Sequence, residues 1–206
     1  MGAVTSSETQ IETPRGPAGL RITEPAGPPV SLLVLGHGAG GGVDAPDLRA
    51  VHDAAVTSGV RVALVTQPYR VAGRRAPAPA GHLDEAWTAV VRKLRADEGV
   101  PLVVGGRSSG ARVACRTATD LGAAAVLCLA FPLHPPGKPE KTRADELPIG
   151  LPTLILNGDR DPFGVPRPTA DVEVIVRSGA THDLRKDVQT TAALAVAWLR
   201  AHGWCH

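Results

Sequence analysis

The fold is decided by residues 101–110, which read PLVVGGRSSG. A short apolar run leads into the pattern Gly-x-Ser-x-Gly, which is centred on Ser108. An apolar run of this length that glycine closes is typical of a buried strand in a parallel sheet. The residues that follow carry apolar side chains at helical spacing and predict a helix over 109–121. Ser108 is therefore expected on a tight strand-to-helix turn, where the flanking glycines relieve the crowding around a strained backbone.

The same alternation of strand and helix extends on both sides of this turn. Apolar runs bounded by glycine or turn residues predict further strands at 30–35, 60–66, 124–129, 153–157 and 172–176. Apolar side chains at three- and four-residue spacing predict further helices at 47–58, 81–97 and 187–202. This order implies the α/β class, with a mostly parallel central sheet that helices cover on both faces.

The alternation also sets the expected domain limits. We predict one α/β domain over residues 20–206, with an edge strand near Leu20–Thr23. Residues 1–19 have little apolar content, so we predict a flexible N-terminal lead-in there. The proline-rich stretches 68–80 and 131–152 are predicted to be ordered surface loops. The second has no helical period long enough for a cap domain, so an open site is expected.

Composition narrows the function classes. The net charge of +2 provides no basic field for nucleic acid or for an anionic membrane. No apolar run is long enough to span a bilayer. The cysteines Cys115, Cys128 and Cys205 form no metal-binding pattern and predict buried, unpaired thiols in a cytoplasmic protein. Neither a metal nor a cofactor is implied, and the expected partner is a small-molecule substrate.

A glycine-rich stretch at 36–42 follows the first core strand. Acyl transfer needs backbone N–H donors that point at an oxyanion, and we assign them to Ala39 and Ser109. In the same loop, Gly38 and Gly40 allow the backbone to approach, and His37 is expected to brace the loop.

This stretch also matches G-x-G-x-x-G, the pattern of a dinucleotide-binding loop. The next strand ends in Thr66-Gln67, so no acidic residue is there to hold a ribose. Asp44-Ala45-Pro46 also delays the helix that should face a pyrophosphate. We keep this interpretation as the weaker alternative.

A nucleophilic serine needs a base and an orienting carboxylate. Asp161 follows the strand at 153–157, and His182 follows the strand at 172–176. The carboxyl ends of parallel strands meet at one edge of the sheet, where open α/β sheets place their sites. The order serine, aspartate, histidine is the one expected when the nucleophile sits on such an elbow. Asp159 is the neighbouring candidate acid and is expected to brace its own turn instead.

In these motifs the sequence resembles the α/β-hydrolase superfamily over nearly all of residues 20–206. The resemblance rests on the motifs at 37–41, 106–110 and 158–161 and on His182. It extends to a compact branch without a cap domain near the dienelactone hydrolases. Through residues 105–110 and 131–141 it also extends to the hydrolase-like domain of a subunit of the non-specific-lethal acetyltransferase complex. Dienelactone hydrolases use cysteine at the elbow, where this chain has Ser108, so dienelactone chemistry is not implied.

The resemblance implies a serine hydrolase that acts on a small carboxylic ester or a related acyl compound. Ser108, His182 and Asp161 would be its catalytic triad, and the reaction would pass through an acyl-enzyme. Arg107, His134 and Lys138 are predicted substrate contacts. The alternative is a catalytically silent binding or scaffold module with the same fold. Such a module is expected to have lost a triad residue or the oxyanion loop, and this chain retains both.

Overall fold

The computed structural model describes residues 2–96 and 99–206. Within them, eight strands form one sheet in the order β1-β2-β4-β3-β5-β6-β7-β8. The strands are β1 Thr5–Ile11, β2 Ala18–Glu24, β3 Ser31–Gly36, β4 Val60–Thr66, β5 Leu102–Arg107, β6 Ala125–Leu129, β7 Thr153–Gly158 and β8 Val172–Arg177. Neighbouring strands run parallel along the series β4, β3, β5, β6, β7 and β8. Strand β2 pairs antiparallel with both β1 and β4.

Helices cover both faces of this sheet. Their bounds are α1 Pro46–Thr57, α2 Pro68–Val71, α3 Ala80–Arg95, α4 Ser109–Thr117 and α5 Val188–Ala201. One apolar layer lies between the sheet and α3 and α4, and the other lies between the sheet and α1 and α5. The predicted α/β architecture is confirmed, with every predicted core strand and helix present to within a few residues. Asp97, the predicted last residue of α3, lies outside the described residues.

Residues 5–11 depart from the prediction of a flexible lead-in, because they form β1. The side chains of β1 are polar and exposed up to Ile11, so no apolar pattern marked the strand. Its stability comes from backbone pairing with β2, in a register that runs from Thr5 opposite Glu24 to Ile11 opposite Ala18. The predicted strand near Leu20–Thr23 exists as β2, but it lies inside the sheet and β1 forms the edge.

The two proline-rich stretches contain little regular structure. In the first, Pro68 occupies the first turn of α2, where a missing backbone N–H has no cost. In the second, one turn of 3₁₀-helix spans Ala144–Glu146. Glu146 accepts hydrogen bonds from Arg112 and Arg116 of α4, which fixes this long connection to the sheet's helical layer.

Candidate active site

Ser108 lies at the junction of β5 and α4. Its backbone has φ 52° and ψ −111°, a conformation that costs strain in a residue other than glycine. The Ser108 N–H donates to the carbonyl oxygen of Leu129 at 2.9 Å, which fixes the turn against β6. A Cβ on Gly106 would lie 2.5 Å from the Gly36 carbonyl oxygen. The glycines of the pattern are therefore needed because β3 passes directly beside the elbow.

Three side chains from three different connections meet at the carboxyl edge of the sheet. His182 Nε2 lies 2.8 Å from Ser108 Oγ, and His182 Nδ1 lies 2.8 Å from Asp161 Oδ2. Both distances are within hydrogen-bond range. The Asp161 side chain is fully buried, and that of His182 is 18% exposed. The geometry is that of a nucleophile, a base and an orienting acid connected in series.

Asp161 is held from its other side. Its Oδ1 accepts the backbone N–H of Phe163 at 2.8 Å, and its Oδ2 also accepts from Asn157 Nδ2 at 3.2 Å. Asn157 is buried, and its Oδ1 accepts the N–H of Phe131 at 2.9 Å. Asp159 has a different place, because its Oδ1 accepts the Gly179 N–H at 2.7 Å. The structure thus brings Asp161 to the imidazole, whereas Asp159 ties its turn to the loop that carries His182.

The loop of His182 has two further contacts. The ring of Phe163 lies against the imidazole, with centroids 4.2 Å apart. Arg107 Nη2 donates to the backbone carbonyl oxygen of His182 at 3.1 Å, and Arg107 Nε donates to Asp47 Oδ2 at 3.0 Å. Asp47 lies in the first turn of α1, and its side chain is fully buried. Burial raises the pKa of Asp47, and the charge of Arg107 opposes that effect.

The glycine-rich loop lies next to the elbow. A Cβ on Gly38 would lie 3.6 Å from Ser108 Cβ and 2.8 Å from Arg107 Nη1. His37 accepts the Gln67 N–H at Nε2 over 3.1 Å, so its Nδ1 carries the proton that is donated to the Gly38 carbonyl at 2.8 Å. Burial lowers the pKa of His37, which keeps the ring neutral. Both ring nitrogens are therefore engaged in holding the loop.

The backbone of Ala39 is fixed by a residue that the sequence analysis did not select. Tyr69, in α2, donates its hydroxyl to the Ala39 carbonyl at 2.6 Å. Ser109 is the first residue of α4, where backbone N–H groups lack an intrahelical acceptor. The two N–H groups assigned to an oxyanion thus belong to a fixed loop and to a helix N-terminus beside Ser108.

The predicted substrate contacts are placed differently from one another. The guanidinium of Arg107 donates to Asp47 and to the backbone of His182, which supports a positioning role, and its substrate contact stays a prediction. His134 follows β6, and its backbone N–H donates to the Phe163 carbonyl at 2.9 Å. Lys138 lies on an exposed part of the proline-rich connection. Phe163, Asn157 and Asp47 had no sequence signal of their own, since each acts through a contact that only the folded chain creates.

Comparison with known proteins agrees with this architecture. A family described as an alpha/beta hydrolase domain matches residues 29–201. The chain therefore belongs to the α/β-hydrolase family. A search of curated proteins finds no match.

Solved structures share the whole fold at low sequence identity. A serine hydrolase without a lid from Xanthomonas campestris has a TM-score of 0.78 at 18% identity, over 96% of this chain and 94% of that one. A dienelactone hydrolase from Anabaena variabilis has a TM-score of 0.77 at 17% identity, over 96% and 98%. The esterase domain of a Rhodothermus marinus protein has a TM-score of 0.75 at 16% identity, over 96% and 98%.

The shared fold includes that of a hydrolase described as having no lid. In agreement with the absence of long apolar runs, no helix within residues 2–96 and 99–206 is long and apolar enough to cross a membrane.

Proposed function

We propose that the chain is a serine hydrolase that cleaves a small carboxylic ester through an acyl-enzyme. The observation that carries this proposal is the hydrogen-bonded series from Ser108 Oγ through His182 to Asp161, with both links at 2.8 Å. A serine hydroxyl is a weak nucleophile until an adjacent base accepts its proton. A buried carboxylate behind the base fixes the imidazole orientation and stabilises the cation that forms.

The reaction follows from these positions. Ser108 Oγ attacks the ester carbonyl carbon while its proton passes to His182 Nε2. The backbone N–H groups of Ala39 and Ser109 are suited to stabilise the oxyanion. The carbon–alkoxy bond then breaks, and His182 gives its proton to the departing alcohol. A water molecule that His182 activates hydrolyses the acyl-enzyme, which releases the carboxylic acid and restores Ser108.

We also propose that the substrate is a small molecule and that the protein is cytoplasmic. The three cysteines are unpaired and buried, which supports a reducing compartment. The shared fold of structures described as an esterase domain and as a serine hydrolase supports ester chemistry.

A fluorophosphonate reagent tests the nucleophile directly, because it reacts covalently with an activated serine. We expect wild-type protein and Ser109→Ala to be labelled and Ser108→Ala to remain unlabelled. The Ser108→Ala variant should also lose on the order of 10⁶ in kcat toward an ester. The triad requires no metal, so hydrolysis should persist in excess EDTA. Labelling of Ser108→Ala at the wild-type level would refute the assignment.

A further inference from the structure

A cavity of about 760 Å³ lies between two connections of the sheet, and no triad residue lines it. Its walls come from two connections, the one between β6 and β7 and the one between β7 and β8. Most of the lining is apolar and includes Leu133, Leu147, Ile149 and Val165. This volume is within the range of small-molecule sites, which are about 300–1,000 Å³.

The cavity exists because neither connection has a long helix. In a doubly wound fold, the chain between neighbouring parallel strands is usually an α-helix that packs on the sheet. Here residues 130–152 contain one turn of 3₁₀-helix, and residues 159–171 contain no helix. The two irregular segments leave a space that runs from His134 and Val165, near the carboxyl edge, to Asp171 and Val172, at the start of β8.

One end of this space adjoins the turn that carries Phe163. His134 lines the cavity and donates its backbone N–H to the carbonyl of Phe163 at 2.9 Å. The side chain of Phe163 contacts the triad, because its ring centroid lies 4.2 Å from that of the His182 imidazole. Val165, two residues further along the same turn, also lines the cavity. The turn 163–165 therefore contacts the imidazole through Phe163 and the cavity through Val165.

The mechanism of ester cleavage determines which portion of the substrate lies beside His182. The departing alcohol oxygen takes its proton from His182 Nε2, so it must lie within hydrogen-bond reach of that atom. The alcohol portion therefore lies on the His182 side of the scissile bond, and the carbonyl oxygen lies toward Ala39 and Ser109. The alcohol portion is therefore the part of the ester nearer to the Phe163 turn, which borders the cavity.

The lining favours an uncharged group. Its charged members are Arg167, which is exposed, and Asp171, whose Oδ2 already accepts the Gly150 N–H at 2.9 Å. We propose, on the basis of the serine hydrolase function above, that this cavity binds the apolar alcohol portion of the ester. The preferred substrates are esters of medium-chain alkyl or aryl alcohols.

Two series of esters separate the alcohol side from the acyl side. The first is the alkyl acetates from ethyl to octyl, and the second is the ethyl alkanoates from acetate to octanoate. The acid that each ester releases is measured by pH-stat titration. All alkyl acetates form the same acetyl-enzyme, so their differences appear in kcat/KM, which reports acylation. Each buried methylene contributes about fourfold, so burying three of them gives octyl acetate a preference on the order of 60-fold over ethyl acetate.

Filling the cavity should remove this preference. Val165→Trp is expected to lower the ratio of octyl to ethyl acetate by about tenfold or more and to leave the ratio of ethyl octanoate to ethyl acetate unchanged. Ala170→Trp changes an exposed residue at the far end of the cavity. It should lower the preference for octyl acetate more than that for butyl acetate. Val176→Trp is the matched control, because Val176 lies half-exposed on β8 outside the cavity.

The outcomes are distinguishable. The inference is overturned if wild-type protein shows no dependence on alcohol length, or if both cavity variants retain the wild-type ratio. It is also overturned if the variants change the ethyl alkanoate series instead, which would place the acyl chain in the cavity. Failure of the proposed function is a different result, in which wild-type protein hydrolyses no ester in either series and no fluorophosphonate label reaches Ser108.

Discussion

Replacing Arg107 by methionine should destabilise the domain and weaken catalysis for two separable reasons. The Asp47 side chain has 0% exposure and that of Arg107 has 16%. The substitution leaves the buried carboxylate with the Leu48 N–H at 2.9 Å as a hydrogen-bond partner. It also removes the bond that holds the backbone carbonyl of His182 at 3.1 Å.

The stability loss can be estimated from the burial of this pair. Breaking a buried ion pair by removing one partner costs about 3–5 kcal/mol, because the remaining charge is uncompensated. Urea unfolding has a slope of roughly 1–3 kcal/mol/M, so the midpoint for Arg107→Met should fall by roughly 1–2 M or more at pH 8. Arg49→Met is the control, because Arg49 is exposed on α1, the helix that carries Asp47. It should change the free energy of unfolding by less than about 0.5 kcal/mol.

The loss should depend on pH in a defined direction. Burial raises the pKa of Asp47, and Arg107→Met removes the opposing charge. The folded state then binds a proton on Asp47 more tightly than the unfolded chain does. The penalty is therefore complete above the folded-state pKa and is relieved as the pH falls. The midpoint difference between wild-type protein and Arg107→Met should be smaller at pH 5.5 than at pH 8.

A double substitution separates stability from positioning. Asp47→Leu combined with Arg107→Met replaces both charges by apolar groups, which is often neutral for stability. We expect this variant to regain most of the wild-type midpoint and to keep a kcat about 10- to 100-fold below wild type, because the carbonyl of His182 is still unheld. A midpoint no higher than that of Arg107→Met would refute the estimate based on the unpaired charge. A wild-type kcat in the double variant would refute the positioning role.

Three further perturbations address the acid, the glycine-rich loop and the long connection. Asp161→Asn should lower kcat by about 10⁴ because the imidazole loses its carboxylate partner, whereas Asp159→Asn should lower kcat by less than about tenfold. If steady-state assays gave the reverse ranking, Asp159 would be the acid. Tyr69→Phe removes the hydrogen bond to Ala39 and should reduce kcat about three- to tenfold with little change in KM, so an unchanged kcat would argue against its positioning role. Burial alone would raise the pKa of Glu146, but the hydrogen bonds and charges of its two arginine partners outweigh it and lower the pKa. Glu146→Gln should thus lower the free energy of unfolding by on the order of 2 kcal/mol at pH 7. In urea unfolding, this difference from wild type should fade as the pH falls through the lowered pKa of Glu146. A difference that persists at low pH would contradict this.

The core strands and the order of the triad could be predicted from the sequence because both depend on local signals. The runs that became β3, β6 and β7 are buried on both faces of a parallel sheet, so they read as continuous apolar stretches. Ser108 and Asp161 each follow such a run closely, and His182 follows the shorter apolar pattern of the edge strand β8. The sheet then needs only to be parallel for its strand ends, and therefore these residues, to meet at one edge.

What could not be predicted depends on partners distant in sequence. β1 has a polar sequence, and β2 supplies its hydrogen bonds. The contact between Tyr69 and Ala39 needs a one-turn helix that proline obscured. The contact of Arg107 with Asp47 could not be predicted, because Asp47 lies in the first turn of α1, 60 residues earlier in the chain.

The division between strands and connections also explains how one site can combine fixed chemistry with variable specificity. Paired residues hold the strand ends in register, with Gly36 opposite Gly106, Arg107 opposite Leu129 and Gly158 opposite Arg177. This register fixes the starting points of the chains that carry the nucleophile, the acid and the base. The alcohol cavity lies between two connections that no strand pairing constrains. Changes in their length or side chains would reshape it while the 2.8 Å contacts of His182 remain, because the two depend on different parts of the fold.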